Sequence, residues 1–106
     1  MEAARRLALR GHKVTLLEAS NQLGGTARIA AIAYAPNGDF VEWLKRQIAD
    51  LGVDVRLDAR ADVAAVRAFA PDAVVVATGA TRRAPDIPGK DQAHVHDGAS
   101  LKALLL

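Results

Sequence analysis

Hydrophobic and polar positions follow one another in a pattern that predicts helices separated by short strands. The helices are expected at residues 1–10, 39–51, 62–70 and 100–105, and the strands at residues 13–18, 53–57 and 73–77. Residues 19–36 show no clean period and are predicted to be mostly irregular. Strands that alternate with helices indicate a parallel sheet with right-handed crossovers, so the predicted fold class is α/β.

The second helix carries the clearest signals. Asp39, with Glu42 three residues later, has the spacing of a capping box, so the helix is predicted to begin there. Its buried stripe is expected to be Phe40, Leu44, Ile48 and Leu51. The third helix is expected to turn Val63, Val66 and Phe69 inward. Residues 73–77 (AVVVA) are apolar at every position, which predicts a strand covered on both faces.

Composition narrows the classes of function. A chain of 106 residues fits a single domain, residues 1–106, and its formal charge of +2 is too small to suggest nucleic-acid binding. The absence of cysteine excludes disulfides, cysteine catalysis and iron–sulfur ligation within this chain, and it fits a cytoplasmic protein. No apolar run approaches the roughly 20 residues of a membrane helix, so no membrane contact is predicted.

Three places in the chain carry candidate chemistry. Glu18 ends the first predicted strand, where an acid in a dinucleotide-binding fold accepts hydrogen bonds from ribose hydroxyls and repels a 2′-phosphate. The pair Gly24 and Gly25 can bring backbone N–H groups close to a phosphate. Thr78 and Gly79 follow the apolar strand, at the edge where parallel sheets bind ligands. The alternative interpretations are an exposed acid and plain turns.

Taken together, the runs KVTLLEASNQLGGTARIA and ATGATRRAPDIPG resemble the C-terminal FAD- or ADP-binding region of the NADH:flavin oxidoreductases. This family includes 2,4-dienoyl-CoA reductase and trimethylamine dehydrogenase. The resemblance implies FAD or ADP contacts at Glu18, Gly24, Gly25, Thr78 and Gly79, and phosphate or flavin-side contacts at Arg28 and Arg83. It also implies that FMN, an iron–sulfur cluster and NAD(P)H are bound elsewhere in a full-length protein.

The chain departs from this family at its beginning. Family members have a strand and a G-x-G-x-x-G turn directly before the first helix, whereas Met1 stands here within that helix. The expected fold is therefore a partial Rossmann-like sheet without its N-terminal strand, which would lie between residues 13–17 and 73–77. We expect poor folding, self-association through unpaired strand edges or an exchanged element; alternatively, the two flanking strands pair directly.

The sequence favours one function and leaves others open. The first is the FAD-binding, adenosine-side portion of a flavin-dependent NAD(P)H oxidoreductase. The chain offers no convincing acid, base or nucleophile, so it is predicted not to be catalytic alone. The alternatives are a non-catalytic ADP-binding module and an interaction module with a vestigial nucleotide site. His94 and His96 flank Val95 and could point to one side as a metal pair, but a pair without further ligands is more often solvated, so no metal site is predicted.

Overall fold

The computed structural model of the chain describes residues 1–80 and 85–105, so Arg83 lies outside the described residues. The described residues form two compact units, Met1–Val75 and Val76–Leu106. The first unit contains α1 (Glu2–Leu9), β1 (Thr15–Leu17), α2 (Thr26–Ala33), α3 (Pro36–Asp50), β2 (Asp54–Arg56) and α4 (Val63–Ala68). The second contains α5 (Gly98–Leu105), which confirms the helix predicted near the end of the chain.

A parallel pair of strands organises the first unit. Leu16 of β1 lies opposite Val55 of β2, and the register continues one residue in each direction. The pairing extends past the strand ends, because the Glu18 amide donates to the Arg56 carbonyl at 2.9 Å. The chain crosses from one strand to the other through α2 and α3, which is the connection that parallel strands require. The prediction of a small α/β fold with a parallel sheet is therefore confirmed.

Helix α3 buries a stripe that confirms the predicted one at Leu44 and Ile48 and differs from it at Phe40. Its buried residues are Val41, Leu44 and Ile48, and Ile48 joins Ala4, Leu23 and Val53 in the core. Phe40, predicted to be inside, is 52% exposed and stacks on the Trp43 ring at 5.9 Å between ring centroids. A Val41–Leu44–Ile48 stripe has the same helical spacing, so periodicity alone could not choose between two adjacent positions.

The start of α3 also corrects the predicted capping box. The helix begins at Pro36, three residues before Asp39, and no side chain caps it. Proline suits the first helical turn because its fixed φ is helical and its missing N–H would have no partner there. Asp39 therefore lies within the first turn, where its negative charge interacts favourably with the positive end of the helix dipole. Glu42 pairs with Lys45 at 2.6 Å instead of reaching back to the helix start.

Helix α2 occupies a stretch that was predicted to be irregular. Its sequence, TARIAAIA, is rich in alanine, and small side chains allow the backbone to approach α3 closely. A Cβ placed on Gly38 would lie 3.4 Å from the Ala31 Cβ, and the Asn37 side chain donates to the Ala30 carbonyl at 3.3 Å. The contact with α3 thus stabilises a helix that has only a weak sequence period.

The predicted inward face of α4 is wrong at Val63 and Phe69. Asp62 caps this helix by accepting a hydrogen bond from the Ala65 amide at 2.7 Å. Val63 is 67% exposed and Phe69 is 40% exposed, whereas Val66 is half-buried. The Arg56 guanidinium of β2 lies 4.9 Å from the Phe69 ring centroid. A helix of six residues has too little surface for its apolar positions to define a buried face.

Residues 73–77 do not form the buried strand that their composition predicts. Val75 is 60% exposed and Val76 is 79% exposed. Within the described ranges, the sheet contains β1 and β2 alone, so direct pairing of residues 13–17 with residues 73–77 is not observed either. A strand is stabilised by hydrogen bonds to a neighbouring strand, and no described residue provides one here.

An ion-pair cluster at the start of α1 gives a pH-dependent prediction. Glu2 accepts hydrogen bonds from Arg5 at 2.7 Å and from Arg6 at 2.9 Å. The Arg5 contact, followed by the Arg6 contact, lowers the pKa of Glu2 from its ordinary value of 4.5 to about 2. Because the pKa of Glu2 is lower in the folded state, its ion pairs contribute to the free energy of unfolding. This contribution is complete above pH 4.5 and is lost as the pH falls towards 2.

Replacement of Glu2 by Gln should therefore flatten the acid side of the stability profile. Urea unfolding between pH 5 and pH 2 is expected to show a smaller loss of stability for Glu2→Gln than for the wild type. Equal slopes for the two proteins in that range would contradict the assignment. Above pH 5 the variant should be slightly less stable than the wild type, because it lacks the ion pairs.

Candidate functional site

The candidate site is built around Glu18, at the carboxyl end of β1. Its amide donates to the Arg56 carbonyl, and its own carbonyl accepts from the Ala59 amide, both at 2.9 Å. The half-buried carboxylate is held as well, because its Oε1 accepts from the Ser20 amide and from Ser20 Oγ, each at 2.8 Å. The acid is thus fixed to the end of the sheet through both its backbone and its side chain.

A turn after β2 supports this arrangement. The Asp58 amide donates to the Ser20 carbonyl at 2.9 Å, next to the bond between Ala59 and Glu18. Asp58 has a φ of +52°, in the left-handed region that Asp tolerates better than most residues. Neither Ser20 nor Asp58 was predicted from the sequence. The position of Ser20, two residues after an acid, could have indicated a hydrogen bond between them, since short polar side chains commonly bond to local groups.

Gly24 and Gly25 form the turn that leads into α2, with φ values of +118° and +49°. Gly25 is the residue immediately before the helix, and no side chain caps the first turn. A Cβ on Gly25 would meet nothing within 4 Å, so its outer face is open to a ligand. A Cβ on Gly24 would instead lie 2.7 Å from Arg28 Cγ and 2.9 Å from Val41 Cγ1. Gly24 is therefore needed for close packing of the turn, whereas Gly25 leaves the backbone accessible.

Arg28 lies in the first turns of α2, and its aliphatic carbons pack against Gly24. No described residue forms an ion pair or hydrogen bond with its guanidinium. Glu18, Gly24, Gly25 and Arg28 thus lie within one short stretch of the first unit, between the end of β1 and the start of α2. A carboxylate acceptor, the start of a helix and a cation are the kinds of group that contact the ribose and phosphates of a nucleotide.

Two of the remaining predicted residues belong to the second unit. Thr78 and Gly79 are exposed there, Gly79 has a φ of +78°, and a Cβ placed on it would meet nothing within 4 Å. In the first unit, an open groove of about 590 Å³ runs between α3, β2 and the loop at Asn21–Leu23. Its walls include Leu23, Lys45 and Val53 but none of the predicted site residues. The groove therefore does not mark the candidate site.

Two classes of feature are not found in the part of the chain that the structure covers. There, no three or more His, Cys, Asp or Glu residues lie close enough to hold a metal ion. No helix of residues 1–80 and 85–105 has the length and apolar character needed to cross a membrane.

Comparison with protein families gives one match, over residues 1–43, to the family of flavin containing amine oxidoreductases. The matched residues run from α1 through the double glycine to the first part of α3. They include Glu18, Gly24, Gly25 and Arg28 of the candidate site. No solved structure matches the chain significantly.

Several curated proteins are similar to most of the chain. An N,N-dimethylglycine/sarcosine dehydrogenase of Chromohalobacter salexigens is 48% identical over 83 residues, which are 74% of this chain and 12% of the relative. A cinnamate reductase of Clostridium sporogenes is 38% identical over 89% of this chain and 14% of its own length. An NADH oxidase of Thermoanaerobacter brockii is 37% identical over 87% of this chain and again 14% of its own length. The chain thus corresponds to about one seventh or less of each of these relatives.

Proposed function

Since this chain is homologous to the FAD-binding region of the NADH:flavin oxidoreductases, we propose that it holds the adenosine side of FAD in a flavin-dependent NAD(P)H oxidoreductase. One observation carries the proposal: the loop that joins a parallel strand to α2 begins at a fixed acid and ends at a double glycine, of which Gly25 has an open outer face. FAD, when bound, supplies the electron-transfer chemistry. The chain supplies binding and orientation.

Each residue has a role in this proposal. Glu18 accepts hydrogen bonds from the hydroxyls of the adenosine ribose, and its negative charge opposes a 2′-phosphate. Gly24 and Gly25 bring the backbone at the start of α2 to the phosphates, where the positive end of the helix favours an anion. The Arg28 guanidinium is a second phosphate contact. We also propose Thr78, Gly79 and Arg83 as cofactor contacts, by the family resemblance alone.

The residues of the first unit fit the ADP half of FAD in particular. A ribose and phosphates are matched by a carboxylate acceptor, backbone donors and one guanidinium. None of these groups is assigned a contact with the flavin ring. ADP is therefore the alternative ligand, in a role that serves structure and not catalysis. A comparison of ADP with FAD separates the two cases, since binding of FAD no tighter than ADP would favour the alternative.

Replacement of Glu18 by Gln tests the proposal. We expect the 106-residue chain to bind ADP more tightly than adenosine 2′,5′-bisphosphate in a calorimetric or NMR titration. Glu18→Gln should weaken ADP binding by about tenfold, because a hydrogen bond to a charged group is lost. Glu42→Gln is the matched control, since it removes an exposed acid of α3 in the same unit. Absence of ADP and FAD binding by the wild type, or equal affinities for the two variants, would overturn the proposed role.

A further inference from the structure

We propose that Ser20 positions the Glu18 carboxylate so that one oxygen, Oε2, is left to accept the ribose hydroxyls. This inference rests on the proposed function of Glu18 and adds a residue that determines which nucleotides the site accepts. Its basis is the pair of hydrogen bonds from Ser20 to the Glu18 side chain, which place two donors on the same oxygen.

The hydrogen bonds leave the two carboxylate oxygens in different states. Oε1 accepts from the Ser20 amide and from Ser20 Oγ, each at 2.8 Å, and these two donors use both of its lone pairs. Ser20 Oγ also lies 2.8 Å from the Gln22 carbonyl, but a hydroxyl has one proton, and a charged acceptor binds it more strongly than a neutral one. No described residue donates to Oε2, which leaves both of its lone pairs available to a ligand.

The backbone on either side makes this geometry rigid. The carbonyls of Glu18 and Ser20 accept hydrogen bonds from the Ala59 and Asp58 amides, in each case at 2.9 Å. Both residues are therefore anchored to the turn after β2, and the side chain of one is anchored to the other. An acceptor that is already oriented loses less conformational entropy when a ligand binds, which increases affinity.

The arrangement defines the chemistry that the site recognises. Two lone pairs on one oxygen can accept hydrogen bonds from two adjacent hydroxyls. A ribose whose 2′- and 3′-hydroxyls are both unsubstituted offers such a cis-diol. A phosphate on the 2′-hydroxyl would remove one of these donors and place an anion beside a carboxylate that cannot turn away. Ser20 therefore contributes to the preference for FAD or ADP over 2′-phosphorylated nucleotides, through Glu18 and without touching the ligand itself.

The test compares ADP with 2′,3′-dideoxyadenosine 5′-diphosphate, which lacks both hydroxyls. In the wild-type chain, we expect ADP to bind about tenfold more tightly than the dideoxy compound. Ser20→Ala should lower the affinity for ADP by about three- to tenfold and leave the affinity for the dideoxy compound unchanged. Ser20→Thr keeps a hydroxyl and should restore most of the ratio. Ser100→Ala, the same change at a serine that bonds to Asp97 in the second unit, should alter neither affinity.

The ratio of the two affinities separates positioning from stability. The inference is wrong if the ratio of the two affinities in Ser20→Ala equals that of the wild type. If both affinities fall by the same factor, Ser20 supports the fold alone. If the wild type binds ADP and Glu18→Gln weakens that binding while Ser20→Ala has no effect, the proposed function stands and this inference fails. Absence of ADP binding by the wild type overturns both.

Discussion

Gly24→Ala is expected to cause the largest loss of stability of any single methyl group added at the candidate site. The new Cβ would lie 2.7 Å from Arg28 Cγ and 2.9 Å from Val41 Cγ1, and Val41 is a buried residue of α3. Overpacking of this kind costs about 1–3 kcal/mol. The φ of +118° adds backbone strain of about 1–3 kcal/mol for any residue with a side chain. Together these terms are a large part of the net stability of an ordinary domain, about 5–15 kcal/mol.

Two other glycines provide matched controls. Gly25 and Gly11 also have positive φ, but a Cβ on either would meet nothing within 4 Å. Gly25→Ala and Gly11→Ala should therefore show the backbone strain without the steric clash, and urea denaturation should place both variants above Gly24→Ala in stability. Gly25→Ala should also weaken ADP binding at equal folded fraction, because its methyl group occupies the open face. Equal stabilities for Gly24→Ala and Gly25→Ala would show that the α2–α3 contact relaxes around the added carbon.

The contrast between the two glycines shows what could be predicted from the sequence. An acid at a strand end and two adjacent glycines are local features, and both were recognised. The different roles of Gly24 and Gly25 depend on Val41, a residue of another helix, and were not accessible from the pattern. The same holds for Phe40, where the helical period allowed two stripes and the observed one runs through Val41, which lies against Gly24. Ser20 was missed because a serine in a turn is common and its hydrogen bonds to Glu18 appear only in three dimensions.

The predictions that were wrong for α2 and for residues 73–77 have a common physical cause, which is contact with residues distant in sequence. Helix α2 was missed because its stability comes from packing on α3 and not from its own period. The strand at residues 73–77 was predicted because five consecutive apolar residues normally mean burial on both faces. Burial needs a neighbour, and among the described residues none pairs with this segment. Composition therefore predicted a strand that residues 73–77 do not form, because composition carries no information about a partner strand.

That exposed segment leads to the second prediction, which concerns self-association of the isolated chain. Residues 73–77 combine three valines with high strand propensity, no charge and no proline, which is the composition of a segment that pairs with another chain. Val75 and Val76, which are 60% and 79% exposed, lie on the surface of the described structure. We expect the apparent mass in sedimentation equilibrium to rise above 11.2 kDa as the concentration increases.

Val75→Lys should bring the apparent mass back to that of the monomer, because a lysine in the middle of the segment would carry its charge into the contact and block pairing. Val63→Lys is the matched control: Val63 is 67% exposed on α4, so the substitution adds the same charge at a comparably exposed valine outside the segment. This control should associate like the wild type. A wild type that stays monomeric and unfolds in one sharp two-state transition would contradict the prediction. If both lysine variants are monomeric, association depends on net charge and not on pairing of residues 73–77, and the prediction fails.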